Sequence, residues 1–143
     1  MCPLFEKLKS FQFVVLERRQ PVCVLRIENI GFSSDPVNNK FGPGKRDLYL
    51  IHYVISGKGY YNGNPVAAGQ GFLIKPHTYE YYYPDTDNPW TFLWVTSLDT
   101  VMEDIFRTLA ADENTKIFNY NYVADVRNLT YIIKLTGIEP NVV

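Results

Sequence analysis

Histidine and cysteine, the residues that most often ligate metals or act as nucleophiles, are scarce in this chain. There are two of each in 143 residues, and Cys2 and Cys23 are too few for a disulfide framework. Cys23 stands in an apolar run, where a cysteine behaves as a small buried hydrophobe. The sequence also lacks Cys-x-x-Cys, Gly-x-Ser-x-Gly, phosphate-loop and His-Glu-x-x-His patterns. These absences exclude the common motifs of zinc, nucleotide and serine-hydrolase sites.

The sequence also lacks an excess of positive or negative charge, and it lacks long apolar runs. Fourteen basic and fifteen acidic residues give a net charge of −1, without the basic run that nucleic-acid binding requires. No apolar run approaches the roughly 18 residues of a membrane-spanning helix. The N-terminal MCPLFEKLKS has neither the apolar core nor the cleavage site of a signal peptide. We therefore expect a cytoplasmic protein with no membrane partner, folded as a single domain over residues 1–143.

The stretch from Arg46 to Trp94 consists of short apolar runs separated by turns. The turns at 56–59, 62–63, 69–71, 75–76 and 84–89 each contain Gly or Pro. Asn62-Gly63 suits a two-residue hairpin, because both residues accept a positive φ. Short strands with such corners predict an antiparallel barrel or sandwich.

The residues before this stretch divide into two apolar runs and a polar segment. Residues 11–16 and 22–27 are rich in Val and Phe and predict two further strands. Residues 29–44 are rich in Asn, Asp, Gly and Pro, and this composition predicts a loop.

After Trp94 the hydrophobic pattern takes on a helical period. Apolar positions three and four residues apart predict a helix over residues 98–112, with Thr100 and Glu103 as its capping box. A second helix is predicted over residues 121–136, ended by Gly137 and Pro140. Strands followed by helices predict a mainly β domain, with a barrel over residues 11–97 and two helices on its outside.

Aromatic residues are abundant, with eleven Tyr, nine Phe and two Trp. Many are concentrated near the end of the barrel region: Tyr79, Tyr81, Tyr82, Tyr83, Trp90, Phe92 and Trp94. Strands favour aromatics for packing alone, but rings with hydroxyl and indole donors also suit a pocket for a small polar molecule. His52 has two interpretations as well, as a hydrogen-bonded core residue or as a ligand contact. Both pairs of interpretations stay open at this point.

Three segments resemble the sensor domain of AraC-type transcriptional regulators: RDLYLIHYVISGKGYYNG, AGQGFLIKP and DNPWTFLW. The resemblance is dense over residues 23–97 and extends more loosely over both helical segments. It implies a cupin fold, a small double-stranded β-barrel that holds an effector, often a sugar. It also implies a separate helix-turn-helix domain that binds DNA and would lie beyond this chain. We expect the chain to be a sensor-domain fragment or a natural stand-alone domain.

The resemblance implies the ligand contacts. The stacking Trp of the last strand matches Trp94, and a pocket Tyr matches Tyr82. Glu80 shares the strand face of Tyr82 because side chains alternate. A pocket Arg of the relatives corresponds to Arg46. A pocket His of the relatives is replaced here by Phe92, so one polar contact to the ligand is lost. The identity of the ligand therefore stays open. We predict that six residues face the barrel interior: Arg46, His52, Glu80, Tyr82, Phe92 and Trp94.

The metal ligands of cupin enzymes do not carry over. The glutamate position falls on Leu50, and the paired histidine positions fall in Gly44-Lys45-Arg46. The later histidine position falls at Glu80 or Tyr81. Because Leu and Arg cannot ligate such a metal, we expect no metal, no cofactor and no catalysis. A lumen-facing Leu50 would also place His52 on the inner face.

The expected function is therefore the effector-sensing and dimerisation domain of a regulator, with a small, carbohydrate-like ligand. The alternatives are a metal-dependent cupin enzyme, such as a sugar isomerase or dioxygenase, and an interaction module with a filled barrel. Four residues of the second helix, Tyr122, Val126, Leu129 and Ile133, have the spacing of a packed helix seam. In relatives the corresponding helix forms a homodimer. The competing expectation is a monomer with both helices against the barrel.

Overall fold

A computed structural model of the chain describes residues 27–109, 111–120 and 141–142. These residues form ten strands and one helix. The strands are β1 (Ile27–Ser33), β2 (Phe41–Gly44), β3 (Tyr49–Ser56), β4 (Lys58–Tyr61), β5 (Asn64–Ala67), β6 (Gln70–Ile74), β7 (Glu80–Pro84), β8 (Thr91–Ser97), β9 (Ile117–Asn119) and β10 (Asn141–Val142). The helix α1 (Met102–Thr108) lies between β8 and β9. The fold is mainly β, as the sequence predicts.

The strands are arranged in two sheets. The six-stranded sheet has the order β10-β1-β8-β3-β6-β9, and the four-stranded sheet has the order β2-β7-β4-β5. All ladders are antiparallel except the pairing of β1 with β10. Within the described ranges these ladders do not close into one barrel, which corrects the closed barrel predicted from the sequence. The chain passes from one sheet to the other at Gly57, between β3 and β4, where φ is +69° and the Pro89 carbonyl leaves no room for a side chain.

The hairpin predicted at Asn62-Gly63 is confirmed. Asn62 has a φ of 48° and Gly63 a φ of 83°, and the flanking residues Tyr61 and Asn64 are paired across β4 and β5. Two consecutive positive φ values are the signature of the turn that matches strand twist.

The loop predicted over residues 29–44 is wrong at both ends, because β1 overlaps its start and β2 forms its end. β1 is an interior strand of the six-stranded sheet, paired on both sides. Its Asn and Gly residues, which suggested a loop, are used instead for contacts with β8. Only the middle of the segment has turn chemistry, where Asp35 accepts hydrogen bonds from the backbone of Val37 and Asn38.

The first predicted helix is present but shorter, over Met102–Thr108 rather than residues 98–112. The capping box is wrong, because no side chain caps the helix N-terminus. The carboxylate of Glu103 instead accepts hydrogen bonds from Tyr49 and Lys75 of the sheet. The second predicted helix, over 121–136, and the strand predicted over 11–16 lie outside the described residues. Of the strand predicted over 22–27, only Ile27 is described, and it begins β1.

The six-stranded sheet is covered on both faces, so residues 49–54 of β3 are all buried. One face, the outer face, packs against α1 through Tyr49, Ile51 and Tyr53. The other, which we call the inner face, carries Leu50, His52 and Val54 and packs toward the four-stranded sheet. A cluster of rings fills this layer: Tyr61, Phe72, Tyr82, Trp90 and Phe92. Burial on both faces explains why β3 reads as a continuous apolar run.

Candidate functional site

His52 stands in the middle of a row of side chains that crosses the inner face. The strand registers pair Gly31 with Trp94, Trp94 with His52, His52 with Phe72, and Phe72 with Ile117. Directly opposite residues share one face of a sheet and lie close enough to touch. The row therefore places His52 between two aromatic positions.

The imidazole of His52 is enclosed by rings but has one unused polar atom. It is 1% exposed, and its ring centroid lies 4.4 Å from that of Phe72, 4.5 Å from that of Phe92 and 4.8 Å from that of Tyr82. Its Nδ1 atom has no hydrogen-bond partner in the part of the chain that the structure describes. Burial, and secondarily the charge of Arg46, hold the pKa of His52 well below its usual value. The ring is therefore neutral at pH 7.

An unpaired buried nitrogen is costly, because it has lost water without gaining another partner. In native proteins such a group is explained by a functional role, by strain, or by an ion, a ligand or a bound water that supplies the missing hydrogen bond. Nδ1 of His52 is thus an observation that favours a binding role over a purely structural one.

Arg46 and Tyr82 place polar groups beside this histidine. Nη2 of Arg46 donates a 3.1 Å hydrogen bond to the hydroxyl of Tyr82, and the guanidinium carbon lies 3.9 Å from the ring centroid of Phe41. Among the described residues, Arg46 forms no ion pair with a carboxylate. Burial raises the pKa of Tyr82, which Arg46 partly offsets, so the hydroxyl keeps its proton. A guanidinium has five N–H donors, and the bond to Tyr82 uses one of those of Arg46 within the described residues.

Glu80 is buried on the same face of β7 as Tyr82, whereas Tyr81 and Tyr83 are exposed. Its two carboxylate oxygens accept hydrogen bonds of 2.6 Å from the side-chain amide of Asn62 and 2.8 Å from the hydroxyl of Thr78. No hydrogen bond or ion pair between described residues joins Glu80 to the other five predicted positions. The structure thus places Glu80 inside the protein but ties it to the turns at the end of the sheet.

Phe92 and Trp94 complete the set on β8. Phe92 is buried and its ring centroid lies 6.0 Å from that of Trp94, which is half-buried. The indole nitrogen of Trp94 donates a 2.7 Å hydrogen bond to Oδ1 of Asn29. Contacts therefore link five of the six predicted residues in one chain: Arg46, Tyr82, His52, Phe92 and Trp94.

Sequence reasoning did not include four residues of this region among the predicted ligand contacts, although it noted Trp90 in the aromatic cluster. Phe72 stacks on His52 at an interplanar angle of 16°, and Trp90 and Tyr61 extend the same ring cluster. Gly31, on β1, is the position over which Trp94 lies. A glycine inside a strand is a known sign of close approach by another group. That signal was hidden because the segment was interpreted as a loop.

Metal chemistry finds no support in the described ranges. There, no three His, Cys, Asp or Glu side chains are grouped so that they could hold a metal ion. Leu50, at the position of the cupin glutamate ligand, is part of the apolar core. No helix within these ranges is long and apolar enough to cross a membrane.

Comparison with known proteins places this arrangement in a family. The chain is 30% identical over 87 residues to the Msm operon regulatory protein of Streptococcus mutans, which covers 58% of this chain and 31% of that protein. It is also 30% identical over 92 residues to the raffinose operon transcriptional regulatory protein of Pediococcus pentosaceus, which covers 61% of this chain and 29% of that protein. The chain therefore spans less than a third of the length of these curated relatives.

A family model described as the AraC-like ligand binding domain matches residues 28–133, well over half of the chain. The match includes every residue of the candidate site and, apart from Ile27 at the start of β1, all of β1 to β9. It confirms the resemblance drawn from the sequence. This chain belongs to the family of AraC-like ligand-binding domains.

Proposed function

We propose that this chain is the effector-sensing domain of an AraC-type transcriptional regulator, and that it binds a small, polar, carbohydrate-like molecule at the inner face. The observation that carries the proposal is Nδ1 of His52, which is buried among rings and has no hydrogen-bond partner among the described residues. The relatives support the regulatory part, because both are named as operon regulators. One of these names also supports a saccharide, because it refers to a raffinose operon.

The chemistry of the site fits a ligand with apolar faces and polar edges. Sugar rings have C–H faces that pack on aromatic rings, and hydroxyl groups that both donate and accept hydrogen bonds. Trp94 and Phe92 would supply ring faces, while Arg46 would donate to a hydroxyl oxygen. His52 would take up a further hydroxyl at Nδ1, and Tyr82 would hold Arg46 in place. Glu80 would accept a hydrogen bond from the ligand if the ligand replaced the Thr78 hydroxyl.

The wider role follows the organisation of such regulators. Effector binding would shift the populations of two domain arrangements, since a ligand stabilises whichever state it binds better. A helix-turn-helix domain outside this chain would bind DNA in the cytoplasm. Pairing of residues 121–136 across a two-fold axis would make the regulator a homodimer. We propose that the domain has no catalytic activity.

The test is a melting-temperature screen of the 143-residue chain against saccharides. Raffinose and its component sugars galactose, glucose and fructose form the first panel, with glycerol as a small polyol control. A ligand present at 100 times its Kd should add about 2.7 kcal/mol to the free energy of unfolding. We expect at least one saccharide, but not glycerol, to raise the melting temperature in a saturable way.

Calorimetric titration then gives the stoichiometry, which should be one saccharide per chain. If no mono-, di- or trisaccharide stabilises the protein, the carbohydrate assignment is wrong. Stoichiometric iron, manganese or zinc in protein purified without chelators would instead support the metal-dependent enzyme.

A further inference from the structure

Trp94 stands opposite two residues of the six-stranded sheet but leans toward only one of them. The register places it between Gly31 on β1 and His52 on β3. The indole lies over Gly31, because the three atoms nearest to a Cβ built there all belong to Trp94. Within the described residues, the ring contacts of His52 are with Phe72, Tyr82 and Phe92, and Trp94 is not among them. The ring is thus drawn away from the histidine.

Two residues on one face of β1 account for this direction. Asn29 and Gly31 are two positions apart, so they lie on the same side of the strand. Asn29 accepts the hydrogen bond from the indole nitrogen at 2.7 Å, and Gly31 provides the room for the ring. Gly31 is not one of the glycines with a positive φ, so its backbone does not require glycine. The absence of a side chain there serves the indole.

We infer that Asn29 and Gly31 are positioning residues for effector binding. They hold the Trp94 indole on β1 and off His52, so that the ring face and the unpaired Nδ1 meet the same ligand. The inference rests on the proposed function. It also narrows the ligand's chemistry, because the indole N–H is already bonded to Asn29. Trp94 therefore offers a ring face without a donor, and the ligand must present an apolar C–H face to it and a hydroxyl to His52.

The first test uses the ligand-free protein, so that its outcome does not depend on the effector. Asn29→Ala removes the acceptor, and the two indole N–H signals are followed in the ¹⁵N-labelled 143-residue chain. The chain has two tryptophans, and Trp94→Phe assigns the signals. Trp90 is the internal control, because its indole nitrogen donates to the backbone oxygen of Asn39. We expect exchange of the Trp94 indole proton with water to become roughly fivefold faster, with Trp90 unaffected.

The matched control variant is Glu28→Ala, which changes an exposed neighbour on the same strand and should leave both signals unchanged. An indole proton of Trp94 that exchanges equally slowly in Asn29→Ala and in the unaltered protein would overturn the role of Asn29.

The second test asks where the ring goes when its space is filled. In Gly31→Ala we expect the indole to turn toward His52, with nuclear Overhauser contacts between the two rings that the unaltered protein lacks. Raffinose is the binding probe, and its affinity should fall by about tenfold or more, since the displaced ring fills the ligand's place. If raffinose does not bind the unaltered protein, the choice of saccharide is wrong. The nuclear Overhauser contacts between Trp94 and His52 still test whether Gly31 positions the indole. An indole that stays on β1 in Gly31→Ala contradicts it.

A double variant covers the case in which Gly31→Ala does not fold. With Trp94→Ala in the same chain, a methyl group at position 31 has room, so Gly31→Ala should cost little stability in that background. Urea unfolding of the four proteins in this cycle measures the coupling directly. A cost that is the same in both backgrounds would mean that Gly31 acts independently of Trp94, and the inference would then be wrong.

Discussion

The hydroxyl of Tyr49 donates a 3.1 Å hydrogen bond to Glu103 and thereby joins β3 to α1. The other carboxylate oxygen of Glu103 accepts a 3.0 Å hydrogen bond from Nζ of Lys75, which follows β6. One carboxylate thus connects the helix to two places on the outer face. β3 carries Tyr49 on this face and His52 on the other, so the helix and the candidate site share a strand.

Glu103 should make stability depend on pH in the acid range. The hydrogen bond from Lys75, followed by that from Tyr49, lowers the pKa of Glu103. A lowered folded-state pKa contributes stability that is present above the unfolded value of about 4.3 and is lost as pH falls through the folded value. The group is over one third exposed, so we expect Glu103→Gln to cost no more than about 1 kcal/mol at pH 7. The difference from the unaltered protein should vanish near pH 3.

Urea unfolding at both pH values measures this effect. Asp104→Asn is the control, since Asp104 forms an exposed ion pair with Arg107 of the same helix and, among the described residues, none with the sheet. A Glu103→Gln penalty that persists at low pH would show that the shape of the side chain, rather than its charge, holds the helix.

His52 should make the protein less stable on mild acidification. Its pKa is lowered by burial, so the unfolded chain binds a proton at a pH where the folded protein does not. Stability is therefore complete above the unfolded pKa of about 6.5 and falls below it, by up to about 1.4 kcal/mol per pH unit. In His52→Phe this part of the slope should disappear, because the ring can no longer take up a proton.

Unfolding free energies between pH 7.5 and 5.5 test the prediction. His77→Asn is the comparison variant, because it removes the other histidine of the chain, whose side chain is exposed. An identical slope in His52→Phe and in the unaltered protein would show that other groups cause it.

Trp94→Ala should weaken the binding of whichever saccharide stabilises the protein in the screen. A well-packed ring contact is worth about 1 kcal/mol, which corresponds to roughly fivefold in affinity. Tyr81→Ala is the matched control, because Tyr81 is a large ring on the exposed face of the four-stranded sheet. Calorimetric titration of the three proteins gives the comparison. Equal affinities for Trp94→Ala and Tyr81→Ala would remove Trp94 from the site.

Leu129→Asp should convert a dimer into a monomer. Leu129 belongs to the apolar spacing in residues 121–136, and a carboxylate in a packed helix seam is costly to bury. Sedimentation at micromolar concentration compares this variant with the unaltered chain and with Asn128→Asp, which adds the same charge at the neighbouring position. A monomer in all three proteins would contradict the proposed dimer.

Much of the arrangement around β3 to β8 could be predicted from local pattern. Asn62 and Gly63 are residues that tolerate positive φ, so their hairpin is determined within a few residues. The family resemblance placed Tyr82 inside, and alternation along β7 then put Glu80 on the same face and Tyr81 and Tyr83 on the other, because the side-chain period of a strand is two. The family resemblance also rested on local sequence, namely short apolar runs separated by turns that contain Gly or Pro.

What the sequence determined by itself was therefore the short strands and the face on which most site residues lie, since these depend on neighbours in the chain. Tertiary structure decided the rest. Asn29 and Gly31 are typical loop residues by sequence, but in the structure both contact Trp94 of the neighbouring strand β8. Thr100 and Glu103 match a capping box in the sequence, but Tyr49 and Lys75 of distant segments donate to the Glu103 carboxylate in the structure. The hydrogen bonds of Glu80 with Asn62 and Thr78 likewise depend on how the turns at the end of the sheet meet. Each of these residues is polar or lacks a side chain, so partners from distant parts of the chain, rather than local propensity, determine its role.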